Sequence, residues 1–445
     1  MMKSNNIKGA VTLDHLKSYT DNFKQNDALK VAMNAVTRGN LQDIALNRNI
    51  LNSNNWTFSN EIEEKPDITD QKQSGTCWLF AELNWLRTIA MKKFKIEKLE
   101  FSQNHIMFYD KLEKANYYLE ELMKMLDRDI DDRYVRFILD SPTPDGGEWH
   151  MIVNLITKYG LMPKEVMPDT WNREQSRFIN ELLGYKIREA FAHMRAMKKK
   201  SEDAVRKYKN QVMAEIYRIL ATCLGIPPKT FDWSFRDKDK KYHQETGITP
   251  QEFYSKYVGL DLDACYTLAS CPTEKTPFGK TYTIELFGNM VGGRQWKWLN
   301  LPVGELKKIA LKMLKKGEAV LFGCDVVQES HSKEGLLSTD LYDFDLLFQT
   351  PFIMDKKTRL EYEQSRLTHS MVLTGVELLK NKPIRWKVEN SWGTEVGKKG
   401  FFVMTDAWFD EHVLDLIVPP EYMPANLKKQ FEQEPIILPP WHVMA

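Results

Sequence analysis

From about Asn172 to Leu224, apolar residues recur at helical spacing: Ile179, Leu182, Leu183, Ile187, Phe191 and Met194, then Val205, Tyr208, Val212, Ile216 and Leu220. Beyond Pro227-Pro228 this period gives way to short β-branched and aromatic runs. They are Tyr282-Thr283-Ile284-Glu285-Leu286, Ala319 through Cys324, Ser370-Met371-Val372-Leu373-Thr374, Arg385-Trp386-Lys387-Val388 and Gly400-Phe401-Phe402-Val403. Turn signals at Asn381-Lys382-Pro383 and Gly397-Lys398-Lys399-Gly400 bound them, which predicts antiparallel strands. Helices first and strands later select an α+β fold.

The chain has 445 residues, 42% of them hydrophobic, enough for at least one large core. Lys and Arg total 62 against 61 Asp and Glu, so no whole-protein field draws nucleic acid or acidic lipid. A basic cluster, Arg195, Lys198, Lys199, Lys200, Arg206, Lys207 and Lys209, has acidic neighbours in Glu189, Glu202 and Asp203, which argues for a solvated helix face over a nucleic-acid contact. The first ten residues lack the apolar stretch of a secretory signal, and no run reaches the roughly 18 apolar residues of a membrane span. Five cysteines with no C-x-x-C pair fit a reducing cytoplasm. Without a Cys quartet or H-E-x-x-H, neither a metal nor any cofactor beyond a reduced thiol is implied.

Toward the N-terminus, Leu16, Tyr19, Phe23, Ala28, Val31, Ala32 and Val36 predict two short amphipathic helices forming an arm. A buried helix is expected after Gly75-Thr76, where Leu79, Leu83, Leu86 and Ala90 recur on one face. The proline-rich end, from Pro419-Pro420 to Pro439-Pro440, should run extended over a surface. Trp296 and Trp298 are expected in the core.

Chemistry concentrates at Cys77. It opens the predicted helix, so backbone N–H groups and the positive end of the helix dipole should face its sulfur and favour thiolate. Far along the chain, His369 begins one strand, and Asn390 follows the next in Glu389-Asn390-Ser391-Trp392-Gly393. An imidazole beside the thiol can form a thiolate–imidazolium pair, and a side-chain carbonyl on the other ring nitrogen fixes its orientation.

The set Gln71, Cys77-Trp78, His369 and Asn390-Ser391-Trp392-Gly393 resembles the papain-like cysteine peptidases, and within them the bleomycin hydrolase and aminopeptidase C group. Gly146-Gly147, followed by Lys158-Tyr159-Gly160, is similar to the segment whose paired glycines hold substrate backbone in that family. The resemblance implies a two-lobed fold, with a helical lobe and an antiparallel, barrel-like β lobe. Residues 1–60 would form the N-terminal arm and 61–170 the helical lobe carrying the nucleophile. A helical insertion at 171–255 explains why Cys77 and His369 lie 292 residues apart, against about 130 to 150 in secreted relatives. Residues 256–418 would be the β-rich lobe with His and Asn, and 419–445 an arm entering the cleft.

By the same resemblance, Cys77 attacks a peptide carbonyl and His369 moves the proton. Asn390 orients His369, Trp392 shields that contact and borders the substrate, and Gln71 with the Cys77 N–H forms an oxyanion hole. Ser74 stands where secreted members carry a disulfide cysteine, which suits a cytoplasmic enzyme. The tail Pro439-Pro440-Trp441-His442-Val443-Met444-Ala445 would bring the Ala445 carboxylate to the free amino group of a peptide, making an aminopeptidase that could also hydrolyse bleomycin-type amides. A homohexamer with inward-facing sites is implied too. Two other readings are a transglutaminase-like acyltransferase, against which Gln71 and Asn390 speak, and a non-catalytic nucleic-acid-binding or scaffold descendant, supported by the basic cluster alone.

Overall fold

The computed structural model describes residues 7–197 and 201–445, so Lys198, Lys199 and Lys200 of the basic cluster lie outside the described residues. The helical half is built on Cys77–Phe94, Gln103–Met123 and Trp149–Tyr159, which pack on one another. Cys77–Phe94 is buried on every side rather than along one stripe, with Trp78, Glu82, Asn84 and Arg87 as inaccessible as Leu79 and Leu86. It is wedged between the helices and the strand His369–Leu379, so solvent is left mainly to its last turn, at Lys92 and Lys93.

The expected insertion contains the long helices Arg177–Ala196 and Glu202–Leu224, stacked on each other and on Gln103–Met123. Their buried sides carry the apolar series read from the sequence: Ile179, Leu183, Ile187, Phe191 and Met194 on one, Val205, Val212, Ile216 and Leu220 on the other. The segment is not all helix, because Phe231–Arg236 and Tyr242–Ile248 form an antiparallel hairpin before the helix Pro250–Tyr257. Alternation along Phe231-Asp232-Trp233-Ser234 buries Phe231 and Trp233 against Phe253 and Tyr257, a period of two that outweighs the helical trend upstream. In the basic cluster, Arg206 pairs with Glu120 and Glu202, Lys209 pairs with Glu120, and Arg195 donates to the Arg128 carbonyl.

The β half is one twelve-stranded sheet. Val320–Cys324 runs antiparallel between His369–Leu379 and Val413–Val418, and His369–Leu379 continues into Lys382–Glu389 and Phe401–Thr405. The sheet does not close, which corrects the barrel-like lobe expected from the sequence. Its ends, Ile436–Leu438 and Ser330–His331, are strands too short to build a closing ladder, and each pairs on one side only. Nor is pairing wholly antiparallel: Tyr266–Ala269 with Trp298–Asn300, Thr281–Ile284 with Ile436–Leu438, and Phe401–Thr405 with Leu336–Leu337 are parallel. Long connections separate the members of these pairs, so no tight turn imposes the opposite direction.

Two arm helices appear where expected, Leu13–Lys24 and Asp27–Val36, and neither buries a residue. Trp296 and Trp298 are buried in the core. The proline-rich end is not extended throughout. A helix, Ala425–Phe431, starts directly after Pro424, a place where the missing proline N–H costs no hydrogen bond. All five cysteines are free, and no helix among the described residues is long and apolar enough to cross a membrane.

One buried ion pair ties the halves together: Arg87 Nη2 on the nucleophile helix meets Glu389 Oε1 at 2.6 Å, both side chains 1% exposed. Burial pushes the Glu389 carboxyl up, against the pull of the guanidinium. Arg87→Met should therefore lower unfolding stability by about 3–5 kcal/mol in chemical denaturation, because it leaves a buried carboxylate uncompensated. The paired change Arg87→Met with Glu389→Leu should recover most of that loss.

Candidate active site

Cys77 is the first residue of its helix, and its sulfur lies 4.0 Å from the Thr368 carbonyl oxygen at the start of the His369 strand. Cys77 and His369 line one cavity of about 570 Å³. On His369, Nε2 is 2.9 Å from Asn390 Oδ1, and Oδ1 also accepts from the Ser391 N–H at 2.8 Å. Two donors on that oxygen settle the amide orientation. The imidazole proton then sits on Nε2, and Nδ1 is the basic nitrogen available to the thiol. Trp392 covers the imidazole, with ring centroids 4.9 Å apart. Its indole thus lies over the ring that bonds Asn390.

The resting charges differ from the expectation at the helix start. N–H groups of Cys77, Trp78 and Ser370 do favour a thiolate, but burial outweighs them and pushes the Cys77 thiol up. Burial likewise lowers His369 to about 4, against the hydrogen bond that its Nε2–H donates to Asn390 Oδ1. Each charge alone is disfavoured by loss of water. Moving the proton from sulfur to Nδ1 creates both charges at once, where their attraction offsets the burial of each.

Gln71 stands behind the thiol. Its Oε1 accepts from the Ser391 hydroxyl at 2.8 Å, and Nε2 donates to the Ser74 carbonyl at 2.8 Å, leaving one Nε2 hydrogen uncommitted. The Gln71 backbone N–H donates to the Ser391 carbonyl at 2.8 Å. Ser391 thus orients Gln71 as Asn390 orients His369, a pairing of chain segments far apart in sequence that no local pattern reveals.

Gly146 and Gly147 form one wall of the cavity. A side chain at Gly147 would meet the Trp78 indole at 2.5 Å, so only glycine lets that ring pack. At Gly146 the space is open. Two buried lysines of Gln103–Met123 hold this wall. Lys111 Nζ donates to the Thr143 and Pro144 carbonyls and to Asp145 Oδ1, and Lys114 Nζ donates to the Gly146 carbonyl at 2.6 Å. Asp145 also accepts from the Gly75 N–H, Ser176 and Asn180, and with Lys111 these hold its carboxyl well below the usual range. Their place on the helix, three residues apart, is the only sequence signal of that role. Glu148 lines the cavity beside the glycines; burial, with Asp415 and Glu82 nearby, pushes its carboxyl well above the usual range.

Ala445 lines the same cavity as Cys77, together with Pro440, Trp441, His442 and Val443. The Val443 carbonyl accepts from the Leu367 N–H at 3.1 Å, and Met444 is fully buried beside Trp296, Trp298 and Leu414. The tail is seated, not frayed. Of the residues singled out in the sequence, the cavity wall thus collects Cys77, His369, Gly146, Gly147 and Ala445, while Gln71, Asn390 and Trp392 pack behind it.

A Peptidase C1-like family model matches residues 10–445. The chain belongs to that family. Within it the kinship is to the aminopeptidase C and bleomycin hydrolase group: the chain is 40% identical to aminopeptidase C of Streptococcus thermophilus over 98% of both chains, and 38% identical to bleomycin hydrolase of Gallus gallus over 96% of both. The crystal structure of PepW from Lactobacillus rhamnosis superposes with a TM-score of 0.96 at 42% identity, covering 98% of this chain and 99% of that one. Kinship of this extent makes the protein a cysteine aminopeptidase of that group.

If the free Nε2 hydrogen of Gln71 donates to the developing oxyanion, Gln71→Ala should lower kcat on an aminoacyl reporter about 10²–10³-fold with little change in KM. An equal rise in KM at unchanged kcat would assign Gln71 to ground-state binding instead.

Proposed function

We propose that this cysteine aminopeptidase removes N-terminal residues from peptides through an acyl-enzyme on Cys77. The single observation that carries the reading is the seat of Ala445 in the cavity that holds Cys77 and His369. A chain end there places a carboxylate near the position of a substrate's α-ammonium and blocks further residues on that side of the scissile bond. The Cys77 proton passes to His369 Nδ1 and sulfur bonds to the carbonyl carbon, with the oxyanion facing Gln71 Nε2 and the Cys77 N–H. The C–N bond then breaks as the imidazolium gives its proton to the leaving amine. Water, deprotonated by His369, hydrolyses the thioester and returns the thiol.

Any amide that offers a free amine on the acyl side meets the same geometry, which extends the substrate class to bleomycin-type amides. Free thiols and the absence of a disulfide at position 74 support work in a reducing, cytoplasmic setting. For assembly we propose the homohexamer. Leu13, Leu16, Tyr19 and Val31 on the arm helices are exposed, as are Leu346 and Ile353, and Asn26 reaches Gln349 to join the two patches. Apolar surface of this extent on an arm that buries nothing of its own fits a subunit contact.

Hydrolysis of a free aminoacyl reporter and its N-acetylated twin under reducing conditions tests the site. The free form alone should be cleaved, with activity abolished in Cys77→Ala. Deleting Met444 and Ala445 should raise cleavage of the acetylated form, and no gain would remove the tail from the mechanism. Light scattering should give about six times the 52.1 kDa of one chain, and a mass of one chain would remove the assembly.

A further inference from the structure

We propose that Arg133, backed by Tyr134, is the latch that holds the C-terminal tail docked and so sets the ratio of N-terminal to internal cleavage. The proposal rests on the reading that the tail gates the cleft.

Arg133 opens the helix Arg133–Asp140 and lines the cavity, yet it forms no ion pair among the described residues. Its guanidinium instead lies over the indole of Trp441, 3.5 Å from the ring centroid. Tyr134 meets the same indole edge-on at 5.3 Å. The Tyr134 hydroxyl donates to Glu285 at 3.0 Å, and the Glu285 N–H donates to the Leu438 carbonyl at 2.9 Å, so the clamp is fixed to the strand that delivers the tail. Arg133 is exposed, and an exposed guanidinium over an indole face is a modest cation–π contact. Trp441 is the largest side chain of the tail segment that lines the cavity.

Beyond Trp441 four residues remain. They are held by backbone hydrogen bonds from the His442 N–H to the Pro439 carbonyl and from the Leu367 N–H to the Val443 carbonyl, and by the buried Met444. Docked and undocked tails are then two populations, and the Arg133–Trp441 contact exists only in the first. A blocked peptide is cleaved only by the undocked fraction, whereas a free aminoacyl substrate uses the docked majority. Weakening the latch should raise the first activity in proportion to the undocked fraction and barely touch the second.

The test is the ratio of acetylated to free reporter cleavage. In Arg133→Ala it should rise about two- to fivefold while free-reporter turnover stays within about twofold. Arg133→Lys, which keeps a cation over the ring, should restore part of the ratio. Trp441→Ala should act in the same direction, and adding Arg133→Ala to it should change little more, because the contact is already gone. A readout independent of turnover uses the Cys77→Ala background: carboxypeptidase should release Ala445 about two- to fivefold faster when Arg133 is also alanine. Unchanged trimming with an unchanged ratio overturns the latch, as does a fall in both activities together, the mark of a merely structural helix. If deleting Met444 and Ala445 raises the ratio while Arg133→Ala does not, the latch falls and the gate stands. If the deletion changes nothing, the gate falls and takes the latch with it.

Discussion

The catalytic arrangement depends on a short seam where residues 69–71 lie antiparallel to residues 391–393. Gln71 N–H donates to the Ser391 carbonyl and Gly393 N–H to the Thr69 carbonyl, with Asp70 opposite Trp392. One edge leads within six residues to Cys77, and the other begins immediately after Asn390. Backbone hydrogen bonds have narrow tolerance, so this pairing fixes the two ends of the site relative to each other before any side chain is considered. The Arg87–Glu389 pair closes the same seam from the buried side. Thiol, imidazole and amide are thereby held by three elements that cannot shift independently.

Inside that frame the electrostatics are those of a dry cleft. Burial opposes a lone thiolate at Cys77 and a lone imidazolium at His369. Charge separation is internal to the pair, so a substrate that excludes the remaining water and presents a carbonyl to Gln71 would stabilise the charged form where the reaction needs it. The raised carboxyl of Glu148 belongs to the same environment, because Asp415 and Glu82 share its buried surroundings.

Much of this was readable in the sequence, and the reason is local. Cys77, His369 and Asn390 each stand at an element boundary that composition marks, and the insertion helices follow a clean apolar period. What escaped is set by contacts between distant segments. The sign of the Cys77 shift depends on burial between Trp78, the tail and the His369 strand, not on its helix alone. The Gln71–Ser391 bond depends on register across the seam. Parallel pairing and the open sheet depend on where long connections return, and Ala425–Phe431 forms because each neighbouring proline falls where a helix tolerates it. The position of Trp392 over His369 depends on packing against Phe402, a strand away.

On the proposed gate, the tail would give the site its selectivity by a means that a fixed pocket lacks. A terminal segment tethered beside the cleft has a high effective concentration, so even weak contacts keep it in place. Ordering the segment still costs backbone entropy at every residue, and the last residues carry little area to offset it apart from Met444. Docking must therefore be secured upstream, and the chain does this in steps: strand pairing at Ile436–Leu438, a turn closed by the His442 N–H on the Pro439 carbonyl, then the indole of Trp441 between Arg133 and Tyr134. Each step shortens the free length beyond it, until only Ala445 is left to meet the substrate. Specificity for a free N-terminus then depends on an equilibrium of the chain with itself, which a change several residues from the thiol can shift without altering the chemistry.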